Sequence, residues 1–259
     1  MYYDLISIMP KAAAYDPDAQ AFITAAGITD NTQKNAINQL VLDLKGYSIW
    51  TKFDALYPMV GGVATAHAVN LKTPGTFNLT FNGGWTHSST GAKPNGTNGY
   101  ANTGYTPSVS STLNSHHLSF YSRTNSNGAE VEIGSQQSGP YYDFLEIRTS
   151  GVSYYSINSS SYDSVSDANS QGFYIGNRTL SNDVDLFKSG TKIKNGTATS
   201  SLRPNQQLYL CAFNNNGTTQ NYSTKECAFS SIGSGLTDTE AANFYTAVQA
   251  FQTTLSRNV

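Results

Sequence analysis

Two periods of apolar residues divide this chain. Up to about residue 60 they recur every three or four positions, as on one face of a helix. Asp16-Pro17 reads as a helix cap followed by proline at the first helical position, with Gly27 as the stop. Asp30 opens a second helix, Ile37, Leu40, Val41 and Leu44 form its stripe, and Gly46 ends it. The run from Tyr47 to Val60 is too apolar for a solvent loop and must pack, and Gly61-Gly62 closes it. Ahead of these helices, residues 1–15 read as a loose tail that could anchor the chain to a neighbour.

Beyond about residue 68 apolar and polar residues alternate instead, as in half-buried strands. The pattern predicts strands over 67–71, 77–81, 98–103, 116–123, 129–134, 142–149, 152–157, 172–178, 183–188, 207–213 and 226–232. Turn signals such as Pro94-Asn-Gly, Ser150-Gly151 and Asn214-Asn-Asn-Gly217 separate them. The end of the chain returns to helix. Thr237-Asp-Thr-Glu240 is a capping box, and Phe244, Val248, Phe251 and Leu255 make one apolar face. A helix from Asp238 to about Ser256 is therefore expected to pack on the edge or end of a sheet. The architecture this implies is a two-sheet antiparallel sandwich, with residues 1–62 as a helical docking or collar segment and 63–259 as the β-rich unit.

Composition narrows the function. Charged residues are 12% of the chain, about half the usual roughly 25%, and net charge is −2 without a basic block, which argues against nucleic-acid binding. Nothing reaches membrane-spanning length, and the first ten residues lack the basic start and apolar run of a secretory signal. Cys211 and Cys227 fit no metal-spaced motif; they lie on separate expected strands that a bridge could join, and read first as buried free thiols.

Several segments resemble the concanavalin A-like (laminin-G-like) jelly roll. They are Asn98-Gly-Tyr-Ala-Asn102, Leu118-Ser-Phe-Tyr-Ser-Arg123, Gly172-Phe-Tyr-Ile-Gly176, Asp185-Leu-Phe-Lys-Ser-Gly190, and Phe229-Ser-Ser-Ile-Gly with Leu236-Thr-Asp-Thr-Glu-Ala. Ser189 stands where the family usually has Asn. Longer stretches resemble lectin-like proteins of tailed bacteriophages of Bacteroidetes: Asp16 to Gly27, Leu44 to Pro58 and Gly83 to Gly96. This likeness implies a virion protein, a fibre, spike or adhesin, made in the bacterial host cytoplasm. It names no ligand; a host surface glycan is expected by analogy with the lectin-like fold. Docking to other virion proteins is expected through the added N-terminal segment, and a three-fold homo-oligomer is expected because phage fibres and spikes are commonly three-fold. A purely structural decoration protein and a glycan depolymerase are the rival readings.

The candidate chemistry is sparse. Glu130 and Glu132 lie two apart and share a face, as paired glycosidase carboxylates do. The family's Glu-x-Asp-x-x-Glu signature is missing, so they are expected as exposed carboxylates on a solvent face, without enzymatic activity. His67, His87, His116 and His117 are scattered, and the adjacent pair faces opposite sides of a strand, so no zinc site is expected. Asp143, Glu146, Asp163, Asp167, Asp183 and Asp185 could feed calcium, which some relatives of the fold bind, but their spacing reads first as turn capping. Exposed aromatic rings are the expected sugar platform, because a pyranose turns C–H groups toward the negative face of a ring. The expected sugar-binding set is Trp85, His87, Tyr100, Tyr105, Tyr141 and Tyr154, with Trp85 foremost in a loop after Gly83-Gly84. Core or sheet packing competes with that role at each of them. In adjacent tyrosine pairs one ring should face the core and the other solvent.

Overall fold

The computed structural model describes residues 14–259, so all but the last two residues of the expected anchoring tail lie outside the described residues. Both N-terminal helices start at their caps. Asp16 accepts the Asp18 amide ahead of Pro17–Ala25, and Asp30 accepts the Gln33 amide ahead of Asn31–Gly46. The reciprocal Thr237–Glu240 box opens Asp238–Thr254.

Between them lie two facing sheets. The first has eight strands, in the order Thr191–Gly196, Asp183–Lys188, Gly172–Leu180, His116–Ser122, Cys227–Gly233, Gly91–Pro94 and Trp85–Ser88, with Phe53–Tyr57 also paired to Cys227–Gly233. The second has nine, in the order Asp163–Ser166, Val152–Ser159, Tyr141–Thr149, Ile133–Gln137, Tyr209–Leu210, Tyr100–Asn102 and Thr80–Asn82. Its remaining hairpin, Phe213–Asn215 with Thr218–Gln220, joins Ile133–Gln137 by a parallel pairing, and the other pairings are antiparallel. Leu118, Phe120, Tyr174, Leu186 and Ile232 of the first sheet meet Ile133, Leu145, Tyr155 and Ile157 of the second in the core between them.

The first sheet is apolar on its other face too. Tyr121, Phe173, Ile175, Phe187 and Phe229 point away from the second sheet, and such surface must be covered. A layer of helices covers it: Asp238–Thr254 on the sheet, Asn31–Gly46 packed on that helix, and Pro17–Ala25 packed on Asn31–Gly46. Phe244 meets Phe53, Phe173 and Phe229 at ring separations of 4.6, 5.1 and 6.0 Å, and Ile37, Leu40 and Leu44 belong to the same cluster. The C-terminal helix thus lies across a sheet face, not on an edge or end as its sequence led us to expect. The reason is that Phe173-Tyr174-Ile175 carries apolar residues on both sides of one strand, the signature of a strand buried on both faces.

Residues 53–57 are themselves a strand, with Phe53 opposite Gly233 and Tyr57 opposite Ser230. Their outer edge is closed by the Leu71 amide, which donates to the Leu56 carbonyl at 2.8 Å, and by one side chain. Asn70 Oδ1 accepts the Leu56 amide at 2.9 Å, and Asn70 Nδ2 donates to the Asp54 and Thr76 carbonyls, both at 3.0 Å. This corrects the strand expected over 67–71: Ala64–His67 is a helical turn, and Asn70 supplies from its side chain, with the Leu71 amide, the bonds a strand would make. A second correction concerns Trp85, which opens the strand Trp85–Ser88 and is not in a loop. That hairpin, Trp85-Thr-His-Ser-Ser-Thr-Gly-Ala-Lys-Pro94, has no Val, Ile, Leu or Phe to mark it as strand. Arg257 ties the layers together, donating to the Pro58, Met59 and Ala228 carbonyls and to Gln252, with 1% of its surface exposed.

Glu130 and Glu132 are not solvent carboxylates. Both are buried and hold the buried Lys225 ammonium at 3.0 and 3.1 Å. The strand expected over 129–134 begins only at Ile133, so the two carboxylates precede it and are brought together by the Lys225 ammonium, not by strand alternation. Cys211 and Cys227 are buried and free.

Candidate functional site

The outer face of the nine-stranded sheet carries a second aromatic cluster, to which no helix contributes. In Tyr141–Thr149, Leu145 and Ile147 point into the core, so Tyr142, Phe144 and Glu146 point out. In Val152–Ser159, Tyr155 points in and Tyr154 out, with Tyr154 registered opposite Glu146. Phe213 and Val131 join Phe144 to form the floor. Gly134 allows this approach: a Cβ there would lie 2.6 Å from Phe144 Cβ and 3.1 Å from a Phe213 ring carbon. Tyr162 rises from the loop after Val152–Ser159, 56% exposed, with its ring 5.8 Å from Tyr154 and 6.4 Å from both Tyr142 and Phe144.

The result is a shallow trough around Tyr162. On one side a pocket of about 170 Å³ is lined by Tyr142, Phe144, Phe213 and the amides of Gln220 and Asn221. On the other, a depression of about 330 Å³ is lined by Tyr154, Thr149 and Glu146. Burial raises the Glu146 pKa, and its Oε1 accepts the Thr149 hydroxyl at 2.5 Å. Glycoside hydrolysis uses two flanking carboxyl groups, and this trough presents one. Rings beside amides and hydroxyls suit binding of a molecule with apolar faces and a polar rim.

Of the residues expected from sequence, Tyr154 lies in this trough. Trp85 and His87 sit together elsewhere, with ring centroids 5.9 Å apart, and Trp85 lines an open depression of about 580 Å³ with Lys93, Asn95 and Thr224. The Trp85 indole N–H is spent on the Asn82 carbonyl at 2.9 Å. His87 faces His67 across 2.9 Å between Nδ1 atoms, a pairing that lets one ring donate only while the other accepts. Tyr100 packs on Tyr209 at 4.6 Å. Tyr105 is fully buried, donates to Asp54 at 2.9 Å and lies parallel to His116, so it has no face to offer a ligand. Tyr141 is half-buried at the start of its strand and takes no part in the trough. Phe144, Tyr162 and Phe213 were missed. Alternation from Tyr142 would have placed Phe144 and Glu146 on one face, whereas Tyr162 in Ser159-Ser-Ser-Tyr carried no signal beyond its turn.

The acidic residues considered for calcium each face groups of the protein, although Asp143 and Asp185 each keep a buried Oδ1 without a hydrogen-bond partner. Asp143 faces His116 at 2.9 Å, Asp167 pairs with Lys188 at 2.7 Å and Asp185 with Lys192 at 2.7 Å. Asp163 takes the Thr197 and Ala198 amides, and Asp183 the Thr179 hydroxyl. Among the described residues no three His, Cys, Asp or Glu side chains converge as a metal site.

The sequence matches no protein-family model. No curated protein matches it either. Solved structures do. A mutant of Trypanosoma rangeli sialidase displaying trans-sialidase activity aligns with a TM-score of 0.57 and 9% identity, covering 84% of this chain and 39% of that one. The botulinum neurotoxin serotype D binding domain aligns with a TM-score of 0.53 and 11% identity, covering 77% of this chain and 52% of that one. The chain thus spans about half the length or less of these two. The likeness is one of fold: a concanavalin A-like sandwich, here with helices at both ends of the sequence.

Proposed function

We propose that this protein is a carbohydrate-binding module whose ligand lies on the outer face of the nine-stranded sheet. One observation carries the reading. One sheet hides its outer aromatic residues under a layer of helices, while the other leaves Tyr142, Tyr154 and Tyr162 at the surface around Phe144. A contiguous exposed apolar patch rimmed by polar groups marks an interaction site, and saturated rings of sugars present the C–H faces that such rings attract. The lectin-like fold is consistent with this and does not by itself supply the ligand. Attachment to a phage virion, docking through the N-terminal residues, three-fold assembly and recognition of a host surface glycan belong to the same proposal. They rest on the sequence resemblance alone.

The test is a glycan array probed with the full chain and with Tyr154→Ala and Trp85→Ala. Binding that Tyr154→Ala reduces at least tenfold, and Trp85→Ala leaves within twofold, supports the trough. The opposite pattern moves the site to the Trp85 depression. Absence of binding to any glycan by the folded protein rejects the carbohydrate reading in favour of a structural role.

A further inference from the structure

The trough does not end at Tyr162. On the far side of the same ring lies a third depression, a cleft of about 480 Å³ lined by Ser160, Ser161, Asp163, Thr197, Thr199 and Ser201, among other small residues. Its chemistry is the reverse of the trough's: hydroxyls and one carboxylate in place of rings. Asp163 Oδ2 accepts the Thr197 and Ala198 amides, each at 3.0 Å, which ties the loop after Thr191–Gly196 to the second sheet and makes the cleft part of the folded frame. The volume lies within the roughly 300–1,000 Å³ range of ligand sites.

Tyr162 lines all three depressions. Among the described residues none of them is lined by Lys, Arg or His, while Glu146 and Asp163 each contribute a carboxyl group. Arg148, on the same strand as Glu146, is engaged with the Asp167 and Ser126 carbonyls and with Asn125. An acidic sugar laid along this surface would meet carboxyl groups without a counter-cation, and such a contact disfavours binding.

Building on the carbohydrate reading, we propose that the ligand is an uncharged oligosaccharide several sugars long. One portion stacks in the aromatic trough, the chain passes over Tyr162, and the next portion hydrogen-bonds in the serine- and threonine-lined cleft. A monosaccharide or disaccharide fills the trough alone. Each part adds to the other because the second contact forms without a second loss of overall freedom.

The experiment uses the full chain and an array of uncharged and acidic oligosaccharides from two to eight sugars, with the tightest-binding series then titrated by calorimetry as a function of length. Affinity is expected to rise at least tenfold between two and four sugars. Thr199→Trp, at an exposed position, should fill the cleft, abolish that gain and leave disaccharide affinity within twofold, with an unchanged melting temperature. Tyr162→Ala should weaken ligands of every length. Affinity independent of length, or a tetrasaccharide bound equally by Thr199→Trp, overturns the two-part site while leaving the trough intact. Preference for acidic over uncharged chains overturns the charge assignment. Failure to bind any glycan removes the underlying reading as well.

Discussion

The Lys225 ammonium lies 3.1 Å from Glu132 Oε1, and both side chains are wholly removed from solvent. Glu130 takes the same ammonium at 3.0 Å, and Ser223 and the Ile147 amide also donate to Glu132. Burial raises the Glu132 pKa to about 7 despite this help. Burial works against the Lys225 charge, yet the two carboxylates hold its pKa above the ordinary value. Desolvation makes such a cluster expensive to break, because removing the cation strands two buried carboxyl groups.

Lys225→Met should therefore cost about 3–5 kcal/mol. The loss should also depend on pH. Without the ammonium Glu132, which burial already raises to about 7, favours its protonated form still more in the folded state, so that state binds more protons than the unfolded chain above pH 4.5. Stability of the variant should then fall as pH rises from 5 to 8. Urea titrations at the two pH values check this, and a smaller cost at pH 8 than at pH 5 would contradict it.

Phe244 is fully buried between the two apolar layers of helices and sheet. Phe244→Asp loses that packing and buries an unpaired charge, and roughly 4 kcal/mol or more of stability should go with it. An unchanged melting temperature would show that the helix is not docked as described.

Histidine burial predicts a second pH effect. Burial lowers the His67 and His117 pKa values to about 3, with the neighbouring His87 adding to the effect at His67. In the unfolded chain both should titrate near 6.5. The unfolded state thus binds more protons between pH 6.5 and 3, and stability present above 6.5 is lost as pH falls. From pH 7 to pH 5 each histidine should cost roughly 1–2 kcal/mol. His67→Phe should remove one such share. An unaltered pH slope in that variant would mean that His67 titrates alike in the folded and unfolded chain.

Residues 53–57 complete a sheet, and Asn31–Gly46 before them packs on Asp238–Thr254. Deleting residues 1–62 should expose the edge of Cys227–Gly233 and the apolar side of Asp238–Thr254 that Asn31–Gly46 covers, giving an aggregating product. Deleting residues 1–13 should leave a soluble protein with the melting temperature of the full chain. Light scattering separates the two, and a monodisperse product of the longer deletion would show that the sandwich stands without its N-terminal layer.

What the sequence determined by itself was local. Asp16, Asp30 and Thr237 announced their helices because a cap needs only the next three residues. Tyr154 and Tyr155 announced one ring outward and one inward because strand side chains alternate. His116 and His117 obeyed the same rule, the first reaching Asp143 in the interior and the second packing beside Phe53 and Phe244 under the helices.

Only the tertiary structure decided which surfaces were covered. Lys225 meets Glu130 and Glu132 across 95 and 93 residues of chain, so neither carboxylate could be recognised as buried from its own surroundings. The trough draws on residues 131, 142, 144, 154, 162 and 213, brought together by strand register and by the bare backbone of Gly134. Caps and alternation act over a few residues and so can be read along the chain. Burial of charge and convergence of rings depend on which distant strands pair and which face the helices choose, and those are set by the packing of the whole.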